Sequence, residues 1–198
     1  MSEQIFTIPY TLGDKARLFD LGQGIHTSTN LILKKGGGQV TPFTQTLTKM
    51  KLQAMLFAVL AVLQILLMKM GGVSTPKIAL AAVCALLGGF LWATQSTNRK
   101  AFDRAQALYQ EVNGECGTIT VDEDGITERS DSDVETHFDW EDYRCCIMCE
   151  EAIVVVFYKP VMLIVSRTEE TEKGLVEALL TFDKERTIYE VSIKEKKK

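Results

Sequence analysis

The chain has 198 residues, a formal net charge of −4 and a mean hydropathy of +0.04. Those totals average two unlike parts: before Ala101 three acids face ten Lys and Arg, and from there on 23 acids face 12 bases. Such a length leaves room for one small soluble domain beside a membrane segment, and because the apolar runs lie in the basic part, the charge points to anionic lipid headgroups and away from nucleic acid.

Met1–Tyr10 is polar and mixed, without the basic flank and short apolar stretch of a signal peptide, so the first membrane-directing segment is expected further on. Gln4–Thr11 reads as a strand at a sheet edge, since Pro9 cannot donate to a ladder. Asp14 can cap a short helix through Leu21, with Gly22 and Gly24 as its stop. Lys34-Lys35 before Gly36-Gly37-Gly38 lacks the following Gly-Lys-Ser/Thr of a phosphate cradle, and the glycines read as a flexible linker.

Thr41-Pro42 starts a helix near Phe43 that enters the central feature of the chain: two apolar runs, Leu52–Met68 and Ile78–Thr94, free of charged side chains. Each is at the short end of the length a helix needs to cross a hydrocarbon core of about 30 Å. Gly71-Gly72 and Thr75-Pro76 punctuate the turn between them, so spans of about 52–70 and 77–94 form a helical hairpin. A buried pair in a soluble bundle would show a polar stripe, and neither run has one. Small residues recur four apart, Ala54 and Ala58 on the first run and Ala81, Ala85 and Gly89 on the second, a spacing that lets helices approach closely in lipid. The same stripe can pack a second copy, which makes a homo-oligomer one expectation. Gln64 is the deep polar side chain of the first run, fit for an interhelical hydrogen bond or for lining a path. Lys34, Lys35, Lys49, Lys51, Arg99, Lys100 and Arg104 flank the hairpin, against Lys69 and Lys77 in its turn. That count places both termini in the cytoplasm. Arg99–Val112 continues the second helix until Asn113-Gly114.

From Gly117 the period becomes two. Thr118–Asp122, Ile126–Ser130, Val134–Phe138, Tyr143–Met148, Ile153–Tyr158 and Val161–Val165 read as strands, with turns at Glu123-Asp124-Gly125, Glu150-Glu151 and Lys159-Pro160. Thr171–Phe182 reads as a helix, and a basic tail follows it. The expected fold is therefore α+β: a membrane hairpin (43–112) between an amino-terminal segment (1–42) and a small antiparallel barrel or sandwich capped by a helix (113–198). Ile153–Phe157 and Val161–Val165 are apolar on both faces, so a second cover is needed, and the amino-terminal segment is the favoured one.

Tyr10-Thr11-Leu12, Gly117-Thr118-Ile119-Thr120-Val121-Asp122-Glu123-Asp124-Gly125-Ile126-Thr127-Glu128 and Phe138-Asp139-Trp140-Glu141-Asp142-Tyr143, in this layout, resemble the YcxB-like family of bacterial membrane proteins. The resemblance covers most of the chain and implies a pleckstrin-homology-like domain, assembled partly from the amino-terminal segment, with no enzymatic activity. The chain departs from the family at Val165-Ser166-Arg167-Thr168, where Ile-Pro and a basic residue are usual.

Reactive patterns are scarce. On a strand Cys145 and Cys149 share a face that Cys146 does not, so the trio reads as small buried hydrophobes, and an odd set of five cysteines argues against a disulfide framework. Asp122-Glu123-Asp124-Gly125 lacks the remaining ligands of a calcium loop. Neither His26 nor His137 has a nucleophile partner, and no catalytic, cofactor or metal residue is assigned. The expected role is binding, through a sheet edge, of a peptide strand, a partner domain or another copy, at the inner (plasma) membrane. A small transporter or channel subunit using Gln64 is the alternative, and a lipid enzyme would need a polar pocket the sequence does not display.

Overall fold

The computed structural model describes residues 5–194 apart from Pro160, Lys184 and Arg186. Gln4, the proline of the Lys159-Pro160 turn and the end of the basic tail lie outside the described residues. In chain order the elements are β1 (Phe6–Thr11), α1 (Lys15–Lys35), β2 (Gly38–Val40), α2 (Phe43–Gly71), α3 (Thr75–Val112), β3 (Cys116–Val121), β4 (Gly125–Ser130), β5 (Glu135–Asp139), a 3-10 turn (Trp140–Asp142), β6 (Tyr143–Met148), β7 (Ala152–Phe157), β8 (Met162–Ser166), α4 (Glu169–Phe182) and β9 (Ile188–Ile193). They form two units, one of residues up to Phe43 with those from Gln106 on, the other of Thr44–Ala105.

The first unit holds two sheets. One has strand order β1-β3-β4-β5 and is antiparallel throughout; the other has order β2-β9-β6-β7-β8. The sheets face each other, and Phe138 and Phe157 stack between them with ring centroids 4.2 Å apart. Of the expected antiparallel barrel or sandwich, the barrel and the all-antiparallel pairing are corrected. The sheets have free ends, and β9, which sequence reading did not find, runs parallel to both β6 and β2. A parallel neighbour must arrive by a crossover, and α4 makes it. The turn from α4 into β9 gathers on buried Asp183, whose Oδ2 accepts from the Thr187 amide at 2.6 Å and the Thr187 hydroxyl at 2.8 Å.

The amino-terminal helix is also longer than its glycines suggest. Asp14 caps it, accepting from the Arg17 amide at 3.0 Å, yet it passes through Gly22 and Gly24 and ends at Gly36, φ +68°. The two inner glycines serve close approach. A Cβ on Gly22 would stand 2.4 Å from Ile164 Cδ1, and one on Gly24 would stand 2.5 Å from the Thr41 carbonyl. Helix α1 thus lies on β7 and β8. Val154 pairs with Ile164 and shares its face, while Phe157 points to the opposite sheet, so both apolar faces of β7 are covered. The triple glycine is a helix cap running into β2, and the linker reading is corrected accordingly.

In the second unit α2 and the first part of α3 form a hairpin. Gly72, φ +80°, ends α2, and the Ser74 carbonyl accepts from the Lys77 and Ile78 amides, both at 3.1 Å. The structure is thus α+β, with two helices long and apolar enough to cross a membrane.

Candidate functional site

Along the hairpin, the buried or half-buried positions recur at seven-residue spacing: Ala54, Ala61 and Met68 with Phe57 and Gln64 on α2, and Ala81 and Gly88 with Lys77, Cys84 and Leu91 on α3. A seven-residue repeat is the signature of a left-handed crossing, the common one in membrane bundles. Backbones meet at Gly88, where a Cβ would lie 3.3 Å from both the Ala54 carbonyl and Phe57 Cβ. Of the small residues singled out in sequence, Ala54 and Ala81 are in this seam. Ala58, Ala85 and Gly89 lie beside it, exposed, and nothing comes within 4 Å of a Cβ placed on Gly89. They line, with Met55 and Trp92, an apolar groove of about 400 Å³ on one side of the hairpin. At the groove's end Lys51 Nζ stands 5.9 Å from the Trp92 ring centre. Gln64 is half-buried in the seam, consistent with packing between the two helices.

In the first unit, alternation along β1 and β4 sends Ile8, Tyr10, Ile126 and Glu128 to the core-facing side. Tyr10 OH donates to Glu128 Oε1 at 2.7 Å, reaching over β3. It can do so because Gly117 lies beneath it: a Cβ there would stand 2.8 Å from the phenol oxygen and 2.3 Å from the Arg129 carbonyl. Burial pushes the Glu128 carboxyl above the usual carboxylate range, and the Tyr10 bond offsets part of that rise. Burial and the neighbouring Glu128 charge also raise the phenols of Tyr10 and Tyr109. Tyr109 packs on Phe19 with ring centroids 5.2 Å apart and donates to the Ile164 carbonyl at 3.4 Å. This cluster escaped sequence reading. The signal was present, since period two puts Glu128 on the face of Ile126, but the partner lies 118 residues away.

Other polar groups of the unit serve as ties between elements. Arg17 binds Glu151 through two bonds of 2.9 Å, which hold the Glu151 carboxyl below its usual range. Arg167 grips Glu172 through two bonds of 2.8 Å and reaches Glu190 and the Cys149 carbonyl at 3.1 Å. Trp140 Nε1 donates to the Asp122 carbonyl at 2.8 Å, and Asp122 Oδ1 accepts from the Asp124 and Gly125 amides in the β3–β4 turn. Cys145, Cys146 and Cys149 are buried free thiols, Cys145 with its pKa pushed up to about 11 by burial. Such thiols are poor nucleophiles. Cys116 is the exposed one, and Asp131 beside it raises its pKa further.

Three comparisons bear on kinship. No family model, no curated protein and no solved structure matches this chain. The geometry therefore has to carry the functional reading. It offers an apolar hairpin, a β unit whose polar residues are largely engaged in holding it together, and the ends of two sheets.

Proposed function

We propose that the protein is an integral membrane protein of two spans, whose hairpin presents a cytosolic, pleckstrin-homology-like interaction domain of the YcxB-like kind, without enzymatic activity. The observation that carries this reading is the exposure of the hairpin. In the most apolar 18-residue windows of α2 and α3 only 11% and 17% of residues are buried. A soluble core helix would be mostly covered. Here Leu52, Val59 and Leu86 are 67%, 63% and 74% exposed, in a band of apolar surface far larger than water tolerates. Lipid is the solvent that suits it. A four-stranded sheet, three successive antiparallel strands and then a helix support the domain assignment. The lysines and arginines flanking the hairpin support the cytoplasmic side for both termini at the plasma membrane.

The test uses two thiols. Cys116 is exposed in the β unit, and Val73 is 72% exposed in the hairpin turn. In inside-out vesicles a membrane-impermeant maleimide should modify Cys116 and spare Val73→Cys, while intact spheroplasts give the reverse. Labelling of both from one side would sink the two-span reading.

A further inference from the structure

A binding domain that uses a sheet edge leaves open which edge, and of what partner. The two sheets have four end strands: β1, β5, β2 and β8. Helix α4 lies along β1, with the Thr171 hydroxyl on the Pro9 carbonyl at 3.2 Å and Gly174 against Ile8; Pro9 has no N–H to offer. At β8 the Ile164 carbonyl receives Tyr109, and the Ser166 side chain takes the Gly13 amide at 3.1 Å. Strand β2 has three residues and begins at Gly38, φ +141°. Strand β5 has five residues and a sheet neighbour on one side.

Its register shows what it offers. Ser130 N donates to the Val134 carbonyl at 2.9 Å, and hydrogen-bonded pairs in an antiparallel ladder alternate. Glu128–Thr136 and Ile126–Phe138 are therefore the bonded pairs, and the backbone groups of Glu135, His137 and Asp139 point away from β4. Among the described residues no backbone hydrogen bond outside a helix or strand reaches Glu135 or His137, and the Asp139 carbonyl belongs to the 3-10 turn that follows it. The side chains of the same three residues are exposed on one face.

Charge selects the occupant. Residues 131–142 contain six acids and no Lys or Arg. Arg129 pairs with Glu135 and Lys159 with Asp142, and Asp131 accepts from the Glu115 amide at 3.3 Å beside β3, which leaves Asp133, Asp139 and Glu141 to keep this edge negative. We infer that β5 takes an added strand from an extended, basic segment of a partner protein, with Lys or Arg at alternate positions beside Glu135 and Asp139. Backbone pairing would supply affinity and the alternate charges selectivity. The inference rests on the interaction-domain reading and names its partner. The competing account of an acidic edge is protection against edge-to-edge aggregation, and the two part on one measurement.

The full chain, in detergent or in nanodiscs of zwitterionic lipid, is exposed to a blocked heptapeptide carrying lysine at its second, fourth and sixth positions between valines and threonines. The expected result is slowed hydrogen exchange at the amides of Glu135, His137 and Asp139, weakened by salt, and none with the glutamate-for-lysine peptide. Glu135→Lys with Asp139→Lys should lower affinity for the basic peptide roughly tenfold and admit the acidic one. His137→Pro removes an outward donor while sparing the β4 ladder, and should abolish capture. Unchanged exchange at millimolar peptide, or equal effects of the two peptides, overturns the inference and leaves the edge as protection only. Resistance to alkaline carbonate extraction is scored on the native membranes from which that chain is purified. A chain that stays with the membrane but captures nothing loses this inference alone; one that is extracted yet captures the peptide loses the membrane reading alone.

Discussion

Glu128 shows how one residue type reports its surroundings. A glutamate titrates near 4.3 in water, and burial among Tyr10, Tyr109 and Ile126 lifts it. The folded chain then keeps a proton that the unfolded chain has already released. The penalty is absent below the unfolded pKa, and stability falls as pH rises through the window up to the folded pKa. Glu128→Gln keeps an acceptor for the Tyr10 hydroxyl and removes the titration. Its unfolding free energy, followed by urea denaturation between roughly pH 4 and pH 8, should therefore gain on the wild type as pH rises. Parallel curves would show that the carboxyl is not desolvated in solution. The Tyr10 contact itself depends on the missing side chain at Gly117, so the glycine and the tyrosine act as one feature of the sheet.

At the scale of elements, the hairpin turns on which small residue lies in the seam. A four-residue spacing favours Gly89, whereas the seven-residue seam uses Gly88. A side chain at Gly88 must displace the Ala54 carbonyl or Phe57, an overpacking cost of about 2 kcal/mol. At Gly89 it meets open space. Gly88→Leu should lower the thermal midpoint of the hairpin in detergent, and Gly89→Leu should leave it near the wild type. Equal loss at both positions would mean that the exposed side of α3 is covered by another copy, as a homo-oligomer packed on Ala58, Ala85 and Gly89 requires. Helix α1 follows the same logic of close approach: Gly22 and Gly24 read as stop signals in sequence, but they are where the helix passes against β8 and the Thr41 backbone.

For the whole molecule, the decision is between a platform and a conduit. A path through lipid needs polar groups along its length, and Gln64 is one half-buried amide in a seam that otherwise holds Ala54, Phe57, Ala61, Met68, Ala81, Cys84, Gly88 and Leu91, with Lys77 at its turn end. Proteoliposomes of the wild type should pass a small cation or anion no faster than empty vesicles, and Gln64→Leu should change neither flux nor peptide capture. A wild-type flux that the variant loses would transfer the function to the hairpin.

Sequence by itself determined what local physics controls. Charge-free apolar runs, helix punctuation at Gly71-Gly72 and Thr75-Pro76, period two from Gly117 and the Asp124-Gly125 turn mark the hairpin and six of the strands to within a few residues. Tertiary structure alone decided what depends on distant partners. Strand β9 carries little amphipathic signal and exists because β2 and β6 flank it; the glycines of α1 take their meaning from β8 and Thr41; the Tyr10–Glu128 bond and the open edge of β5 appear only when the strand order is known. A hydrophobic period is written along the chain, whereas a strand's neighbour, and the close contact a glycine permits, belong to pairs of residues that the chain does not set side by side.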